Sequence, residues 1–336
     1  MKALKREKRL LRLVYLLCLL LFITLGFLQK PFDTFAVVMG IVLCVLIGYS
    51  HFIIRRFYPD GDKFILIFSS VLAVVGVATL YRINRVTAIK QLVWIAIGMI
   101  SYILIVVILP DLRSFSKYKK IYMIVTLLLM PLALIFGTEQ YGAKNWIIIG
   151  KSISFQPSEF GKIALVLYLA SALATYENKK SFKEEFKELW QPALVAGFSM
   201  GCMVLQRDLG SALIFFGISI TLLYVATSKK KYVFTALGLA AIGSVAGYSM
   251  FGHVRERVMI WLDPWKYALG ESYQIVEGMY SIAAGGLFGV GLGQGHFQNL
   301  PVKESDMIYA IICEEFGIIF AIGLMIIYFL LFYRGI

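Results

Sequence analysis

The chain has 336 residues, of which 60% are hydrophobic, and its formal net charge is +13. Its mean hydropathy is +0.79. A soluble fold of this length could not bury so much apolar surface, whereas a polytopic membrane protein exposes it to lipid. Composition therefore excludes a soluble protein. It predicts an all-α, polytopic integral membrane protein of about ten transmembrane helices.

Ten apolar stretches read as membrane spans, of which the seventh is short. They are residues 10–28, 33–54, 63–81, 88–109, 121–137, 158–176, 193–206, 209–227, 231–251 and 307–333. The first follows a basic start but lacks a small-residue cleavage site, because Phe27 and Leu28 are bulky. This pattern favours a retained signal anchor over a cleaved signal peptide.

Basic residues predict the orientation of the chain. With a cytoplasmic N-terminus, the inside segments hold 21 of the 33 Lys and Arg residues, and the outside segments are much longer. This asymmetry follows the positive-inside rule. The net charge then reflects topology and contact with anionic membrane lipids, and it gives no reason to expect nucleic-acid binding.

The long outer loop, residues 252–306, contains Trp261 and Trp265 and a moderately apolar stretch, so we expect short interfacial helices there. Its glycine run, 285–295, does not follow a strand as a dinucleotide-binding loop would. Close backbone packing or a flexible turn near a ligand accounts better for it. The four cysteines all fall within predicted spans and are interpreted as packing residues, namely Cys18, Cys44, Cys202 and Cys313.

Asp306 stands where the outer loop meets the last apolar span. One interpretation is a general base on the outer face, close to a second carboxylate, Glu304. The other is an ordinary helix start, with Ser305 or Asp306 as the N-cap residue. The two are compatible, because a capping acid can also carry out chemistry.

Glu314 and Glu315 lie about two turns deeper in the same span. Neighbouring residues on a helix point about 100° apart, so the two carboxylates should not share one surface equally. At least one should line a polar cavity or pair with a base inside the bundle. A functional role and a structural ion pair remain equally open from the sequence.

Further polar residues fall on the predicted outer side. Glu159 and Lys162 are three residues apart at a helix start and can pair on one face. Asp208 beside Arg207 adds charge in a tight connection that needs polar residues anyway. Several bases stand outside against the topological bias, which suits either a phosphate-bearing ligand or pairing with the outer acids. They include Arg82, Arg85, Lys90 and Lys144.

Several short segments, in this order, resemble the SEDS family, which includes RodA and FtsW. They are Lys90-Gln91 with Trp94, Gly142 to Trp146, Gln156 to Glu159, Gln206 to Gly210, and Leu300 through Asp306 to Gly317. They cover roughly residues 63–336. The chain departs from the family at Arg207, where Pro is usual, and at Glu304 to Met307.

The resemblance implies a peptidoglycan glycosyltransferase that polymerises lipid II beside a class B penicillin-binding protein. It assigns the catalytic role to Asp306, and leaves open a divalent cation, Mg²⁺ or Mn²⁺, at the leaving group. Substrate-binding or supporting roles then fall to Arg82, Lys90, Lys144, Trp146, Glu159, Lys162, Asp208, Glu314 and Glu315. The rival functions are a lipid II flippase and a non-catalytic scaffold for the penicillin-binding protein.

The resemblance also divides the chain. Residues 1–58 form an N-terminal two-helix extension, 59–251 the membrane core, 252–306 the extracytoplasmic loop, and 307–336 a core helix after the catalytic Asp. Because family members generally continue with two more spans, we expect the chain to be C-terminally truncated.

Overall fold

In a computed structural model, the chain is described over residues 2–108, 112–140, 143–149, 153–174, 176 and 182–336. It divides into two compact units. The first contains Met1–Pro110 and His253–Ile336, and the second contains Asp111–Gly252. The four-part division expected from the resemblance stays a prediction.

Helices make up most of the described chain. In order, they are α1 (Lys2–Phe27), α2 (Thr34–Phe57), α3 (Lys63–Ile83), α4 (Arg85–Ile108), α5 (Lys119–Phe136), α6 (Pro157–Leu173), α7 (Phe182–Leu205), α8 (Leu209–Thr227), α9 (Lys230–Met250), α10 (Gly252–Leu262), α11 (Tyr273–Gly285) and α12 (Ile308–Gly335). Short 3₁₀ turns occur at Leu112–Tyr118, Trp265–Tyr267 and Phe297–Asn299.

Eight helices in the described part of the chain are long and apolar enough to cross a membrane, namely α1 to α5, α8, α9 and α12. They account for eight of the ten predicted spans. The other two predicted spans are also helical, in α6 and α7. However, α6 has only 17 residues, and α7 begins with two charged turns. The polytopic helical architecture predicted from composition is thus confirmed.

A small antiparallel sheet, which the all-α prediction missed, lies in the second unit. Its strands are β1 (Thr138–Gln140), β2 (Ala143–Ile149) and β3 (Ile153–Phe155), paired in that order. Thr138 pairs with Trp146, and Ile148 pairs with Ser154. The run from Trp146 to Ile149 consists of one aromatic and three β-branched residues, a composition that favours a strand. The predicted spans place this segment only in the connection between two of them.

Each unit has its own core. In the first, α1, α2, α3 and α12 share one cluster that includes Phe22, Leu43, Val74 and Ile312. A smaller cluster packs Phe297 and Leu300 of the outer loop against Ala310 and Ile311 at the start of α12. In the second unit, the core residues include Met130, Leu165, Tyr168, Met203 and Phe215.

The outer loop contains the short helices α10 and α11, as expected. Trp261, Trp265 and Leu269 stay exposed there. This exposure fits an interfacial position.

Candidate active site

The corner between α3 and α4 consists of a single residue, Asn84. Its N–H donates to the carbonyl of Leu80 at 2.7 Å and ends α3. Its side-chain Oδ1 accepts from the N–H groups of Val86 at 2.9 Å and Thr87 at 3.3 Å, which starts α4. An Asn in this place caps two helices at once and leaves its Nδ2 free to donate elsewhere.

Glu304, in the outer loop, takes up that remaining donor. Its Oε1 accepts from Asn84 Nδ2 at 2.8 Å, and its Oε2 accepts from Thr87 Oγ1 at 2.7 Å. Both carboxylate oxygens are thus used to hold the end of the loop against the α3–α4 corner.

Asp306 stands two residues further on and differs from Glu304 in its exposure and in its hydrogen bonding. It is exposed. Within the described part of the chain, its carboxylate has no hydrogen bond or ion pair. It is not a helix cap either, because α12 begins at Ile308, and its N-cap, Met307, has no side-chain capping bond. The N-cap interpretation of Ser305 and Asp306 is therefore wrong.

Arg82, two residues before Asn84, binds the glycine run. Its Nη2 donates to the carbonyl of Gly293 at 2.8 Å, and its Nε lies 3.3 Å from Glu315 Oε1. The guanidinium also lies over the Phe297 ring, 5.1 Å from its centroid. Arg82 thus pairs with a buried acid of α12 and not with an acid of the loop, and its role toward a phosphate ligand stays a prediction.

Glu314 and Glu315 converge on the backbone of residues 293–296, where the glycine run ends. Glu315 Oε1 accepts from the N–H groups of Gly293 at 3.1 Å and Gly295 at 3.4 Å, and its side chain is fully buried. Glu314 Oε1 accepts from His296 N–H at 2.6 Å. A Cβ on Gly295 would lie 2.9 Å from Glu315 Cγ. The two acids share one partner segment, contrary to the expectation from their helical spacing, and the structural role predominates.

The glycine run also fills a break in α12 at Gly317, which has φ +84°. The N–H groups of Val290 and Gly291 donate to the carbonyls of Glu314 and Glu315 at 2.9 and 3.0 Å. The N–H groups of Ile318 and Ile319 donate to carbonyls of the run. Irregular backbone at membrane depth needs such partners. Close packing is therefore the reason for the glycines.

In the second unit, Asp208 organises a polar cluster. It caps α8, since its Oδ1 accepts from Ser211 N–H at 3.0 Å. Its Oδ2 accepts from Ser211 Oγ at 2.8 Å, Asn145 at 2.9 Å and Gln156 at 3.3 Å. Arg207 does not pair with it; among the described residues, Arg207 pairs with Glu139 at 3.6 Å. Asp208 thus joins β2, α6 and α8.

Most other predicted site residues of the second unit also have partners within the unit. Lys144 Nζ donates to the carbonyl of Leu134 at 2.7 Å. Lys162 pairs with Glu159 at 2.9 Å, as the spacing predicted. Trp146 is half-buried in β2. Gly142, in the same motif, lies outside the described residues.

Lys90 is the remaining cation of the prediction. It is exposed on α4, one turn after Thr87, so it lies on the helix face that holds Glu304. Within the described ranges, its ammonium group has no hydrogen bond or ion pair. Sequence reasoning missed Asn84 and Thr87. A polar residue between two helical runs was the signal that could have identified Asn84.

A divalent cation would need ligands from the residues described above. Among the residues that the structure describes, no three or more His, Cys, Asp and Glu side chains are grouped so that they could hold one. Since one or two carboxylates together with substrate phosphates can hold Mg²⁺, the divalent cation considered from the resemblance stays a prediction.

Comparison with known proteins decides the family. The family model described as "Cell cycle protein", which names FtsW, RodA and SpoVE, matches residues 63–336. The chain belongs to the FtsW/RodA/SpoVE family. The peptidoglycan glycosyltransferase RodA of Mycobacterium tuberculosis is 32% identical over 324 residues, which cover 88% of this chain and 68% of RodA. The stage V sporulation protein E of Bacillus subtilis is 31% identical over 292 residues, covering 82% of this chain and 78% of that protein.

A solved chain from a peptidoglycan synthase complex has the same fold. It superposes with a TM-score of 0.53 at 23% identity, covering 88% of this chain and 75% of its own length. This FtsW/RodA/SpoVE chain is accordingly a multi-pass membrane protein. The matched range contains Asp306 and every other predicted site residue, while α1 and α2 precede it.

Proposed function

We propose that this chain is a peptidoglycan glycosyltransferase that polymerises lipid II on the outer face of the cytoplasmic membrane. Two mycobacterial relatives at 30% and 32% identity are named peptidoglycan glycosyltransferase RodA. The observation that carries the proposal is the sorting of four acids. Glu304, Glu314 and Glu315 are held by hydrogen bonds, whereas Asp306 is exposed and unpaired within the described chain.

Asp306 acts as the general base in this proposal. Its carboxylate takes the proton from the 4-hydroxyl of the acceptor sugar while that oxygen attacks the anomeric carbon of the donor. The new glycosidic C–O bond forms as the bond to undecaprenyl pyrophosphate breaks. The leaving group keeps the electron pair, and Asp306 later returns the proton to solvent. A carboxylate that already had hydrogen-bond donors would be a weaker base.

Lys90 is the best candidate to stabilise the pyrophosphate. Arg82 is bound to Glu315 and Gly293, Lys162 to Glu159, and Lys144 to a backbone carbonyl. The Lys90 ammonium group has no partner among the described residues and lies on the helix face that holds the Asp306 loop, so it can stabilise the negative charge that develops on the leaving group. No step is assigned to a metal ion.

The chain would act beside a class B penicillin-binding protein that supplies the transpeptidase, as the resemblance implies. The distribution of basic residues supports a cytoplasmic N-terminus, an orientation in which Asp306 would lie on the outer side. Cell-shape maintenance and division are both compatible with this activity.

The test uses purified chain and lipid II in detergent or vesicles, with a class B penicillin-binding protein of intact transpeptidase activity as the partner. We expect glycan polymer that depends on this chain. A flippase would move labelled lipid II across the vesicle membrane and form no polymer. A scaffold would form none and would still support growth when Asp306 is replaced. Either result would overturn the proposal.

A further inference from the structure

The N-terminal helices α1 and α2 lie before the range that the family model matches, yet they share a core with α3 and α12. Phe22, Leu43 and Ile47 are fully buried in that core together with Val74 of α3. The hairpin formed by α1 and α2 is therefore an integral part of the first unit. Its turn, residues 28–33, lies beside the α3–α4 corner, which holds the loop that carries Asp306.

Asp33, in the turn between α1 and α2, binds both sides of that corner. Its Oδ2 accepts from the hydroxyl of Tyr81 on α3 at 2.5 Å, and its Oδ1 lies 3.4 Å from Arg85 Nη2 on α4. The same Oδ1 accepts from Phe35 N–H at 3.1 Å and caps α2. The Arg85 guanidinium lies 4.2 Å from the centroid of the Phe35 ring.

Asp33 remains a carboxylate at neutral pH. Partial burial raises its pKa. The hydrogen bond from Tyr81 and the charge of Arg85 lower the pKa by more than this, so it lies below the ordinary value for an Asp. Its bonds to Tyr81 and Arg85 are accordingly charge-assisted, which makes them stronger than neutral hydrogen bonds.

A second contact joins the hairpin to the glycine run. A Cβ on Gly293 would overlap the side chain of Leu28, so Leu28 packs directly on Gly293. Gly293 is also the residue that binds Arg82 through its carbonyl and Glu315 through its N–H. The hairpin thus contacts the loop directly as well as through the corner.

Two sets of residues at the α3–α4 corner connect the α1–α2 hairpin to the outer loop. Tyr81 and Arg85 bind the hairpin, whereas Arg82, Asn84 and Thr87 bind the outer loop. The two sets lie within seven residues around one non-helical position, so a rotation of the corner would move its three hydrogen bonds to the loop.

We propose that Asp33 is a positioning residue for the loop that carries Asp306, and that the hairpin α1–α2 belongs to the catalytic apparatus. The inference rests on the proposed function for its catalytic consequence, although the mechanical link stands on the contacts alone. Small displacements of a catalytic group reduce the rate while leaving substrate binding largely intact.

The test compares Asp33→Ala with Asp60→Ala, an exposed acid at the other end of α2 that has no hydrogen bond or ion pair within the described chain. Amide hydrogen exchange is followed in peptides covering residues 293–307, and kcat and KM are measured for lipid II polymerisation. For Asp33→Ala we expect faster exchange in these peptides and a kcat reduced about tenfold, with KM within about threefold. Asp60→Ala should match wild type in both.

Two further variants keep the test decisive. Tyr81→Phe removes only the hydroxyl and should reproduce the effect in part, so it decides the matter if Asp33→Ala does not fold. Asp33→Asn keeps an acceptor but loses the charge and should recover part of kcat.

Exchange and kcat equal to those of Asp60→Ala would overturn the inference. Exchange raised throughout the first unit, with a matching loss of thermal stability, would also overturn it. Raised exchange at 293–307 in a chain whose wild type makes no polymer would contradict only the proposed function.

Discussion

Glu304 Oε1 accepts a hydrogen bond from Asn84 Nδ2 at 2.8 Å, and the same Asn84 side chain caps α4 through its Oδ1. A helix break and the end of the outer loop are thus held by one amide. Asp306 itself is bound to no described residue, so its position depends on what its neighbours contact. The bonds of Glu304, two residues before Asp306, connect this segment to the α3–α4 corner.

Replacing Glu304 by Ala should therefore reduce activity without removing the base. The variant leaves Asn84 Nδ2 and Thr87 Oγ1 unpaired, and we expect kcat to fall about tenfold. A double-mutant cycle with Thr87→Val, measured by thermal unfolding in detergent, should give a coupling energy of about 1 kcal/mol. Additive effects of the two substitutions would show that the Glu304–Thr87 bond does not hold the loop.

Gly289→Ala should be strongly destabilising. Gly289 has φ +81°, and its Cβ would collide with the carbonyl of Glu315 where the run fills the break in α12. The left-handed backbone alone costs about 1–2 kcal/mol for a residue with a Cβ, and the collision adds to it. Gly323→Ala, also on α12, meets no atom within 4 Å and should be neutral or slightly stabilising. Equal melting temperatures for the two variants would refute this packing.

Asp208→Ala should destabilise the second unit more than it affects catalysis. The substitution removes the cap of α8 and leaves Asn145, Gln156 and Ser211 without their acceptor. Loss of a cap costs about 1 kcal/mol, and each unpaired buried donor adds to that. Glu159→Ala removes only an exposed pair and should change stability by less than about 1 kcal/mol. Thermal unfolding of both variants, with KM for lipid II, distinguishes a structural role from substrate binding.

Glu185 predicts a pH dependence of stability. It is buried on α7, and hydrogen bonds from Lys229, Lys231 and Tyr232 lower its pKa from 4.5 to about 2. Because the folded-state pKa is the lower one, the carboxylate stabilises the fold above about pH 4.5. This contribution is lost as the pH falls through about 2. Glu185→Gln should lower the melting temperature at pH 7, and the gap to wild type should narrow below pH 4.5.

The matched control for Glu185 is Glu184→Gln, which changes the same charge at an exposed neighbouring position. It should leave the melting temperature unchanged at both ends of the pH range. A gap between Glu185→Gln and wild type that stays constant down to low pH would show that the ionised carboxylate contributes nothing.

The sequence predicted the apolar spans well, because the cost of burying polar groups in lipid makes hydropathy a strong local signal. It also predicted the Glu159–Lys162 pair, which depends only on helical spacing. It could not assign roles to the acids, because their partners lie far away along the chain. Glu304 meets Thr87, and Glu315 meets Arg82 and Gly293. The helical spacing of Glu314 and Glu315 was misleading, because backbone N–H groups of residues 293–296 reach both carboxylates.

The central claim is that Asp306 is the catalytic base, and the most direct measurement is the rate of lipid II polymerisation by the purified Asp306→Asn variant. Asn has nearly the same shape but cannot accept the proton, so we predict a rate about 10² to 10⁴ times lower. The melting temperature should be unchanged, because the Asp306 carboxylate has no partner among the residues that the structure describes. Ser305→Ala, at the exposed neighbouring position, should keep the wild-type rate. A rate for Asp306→Asn within about threefold of wild type would contradict the account.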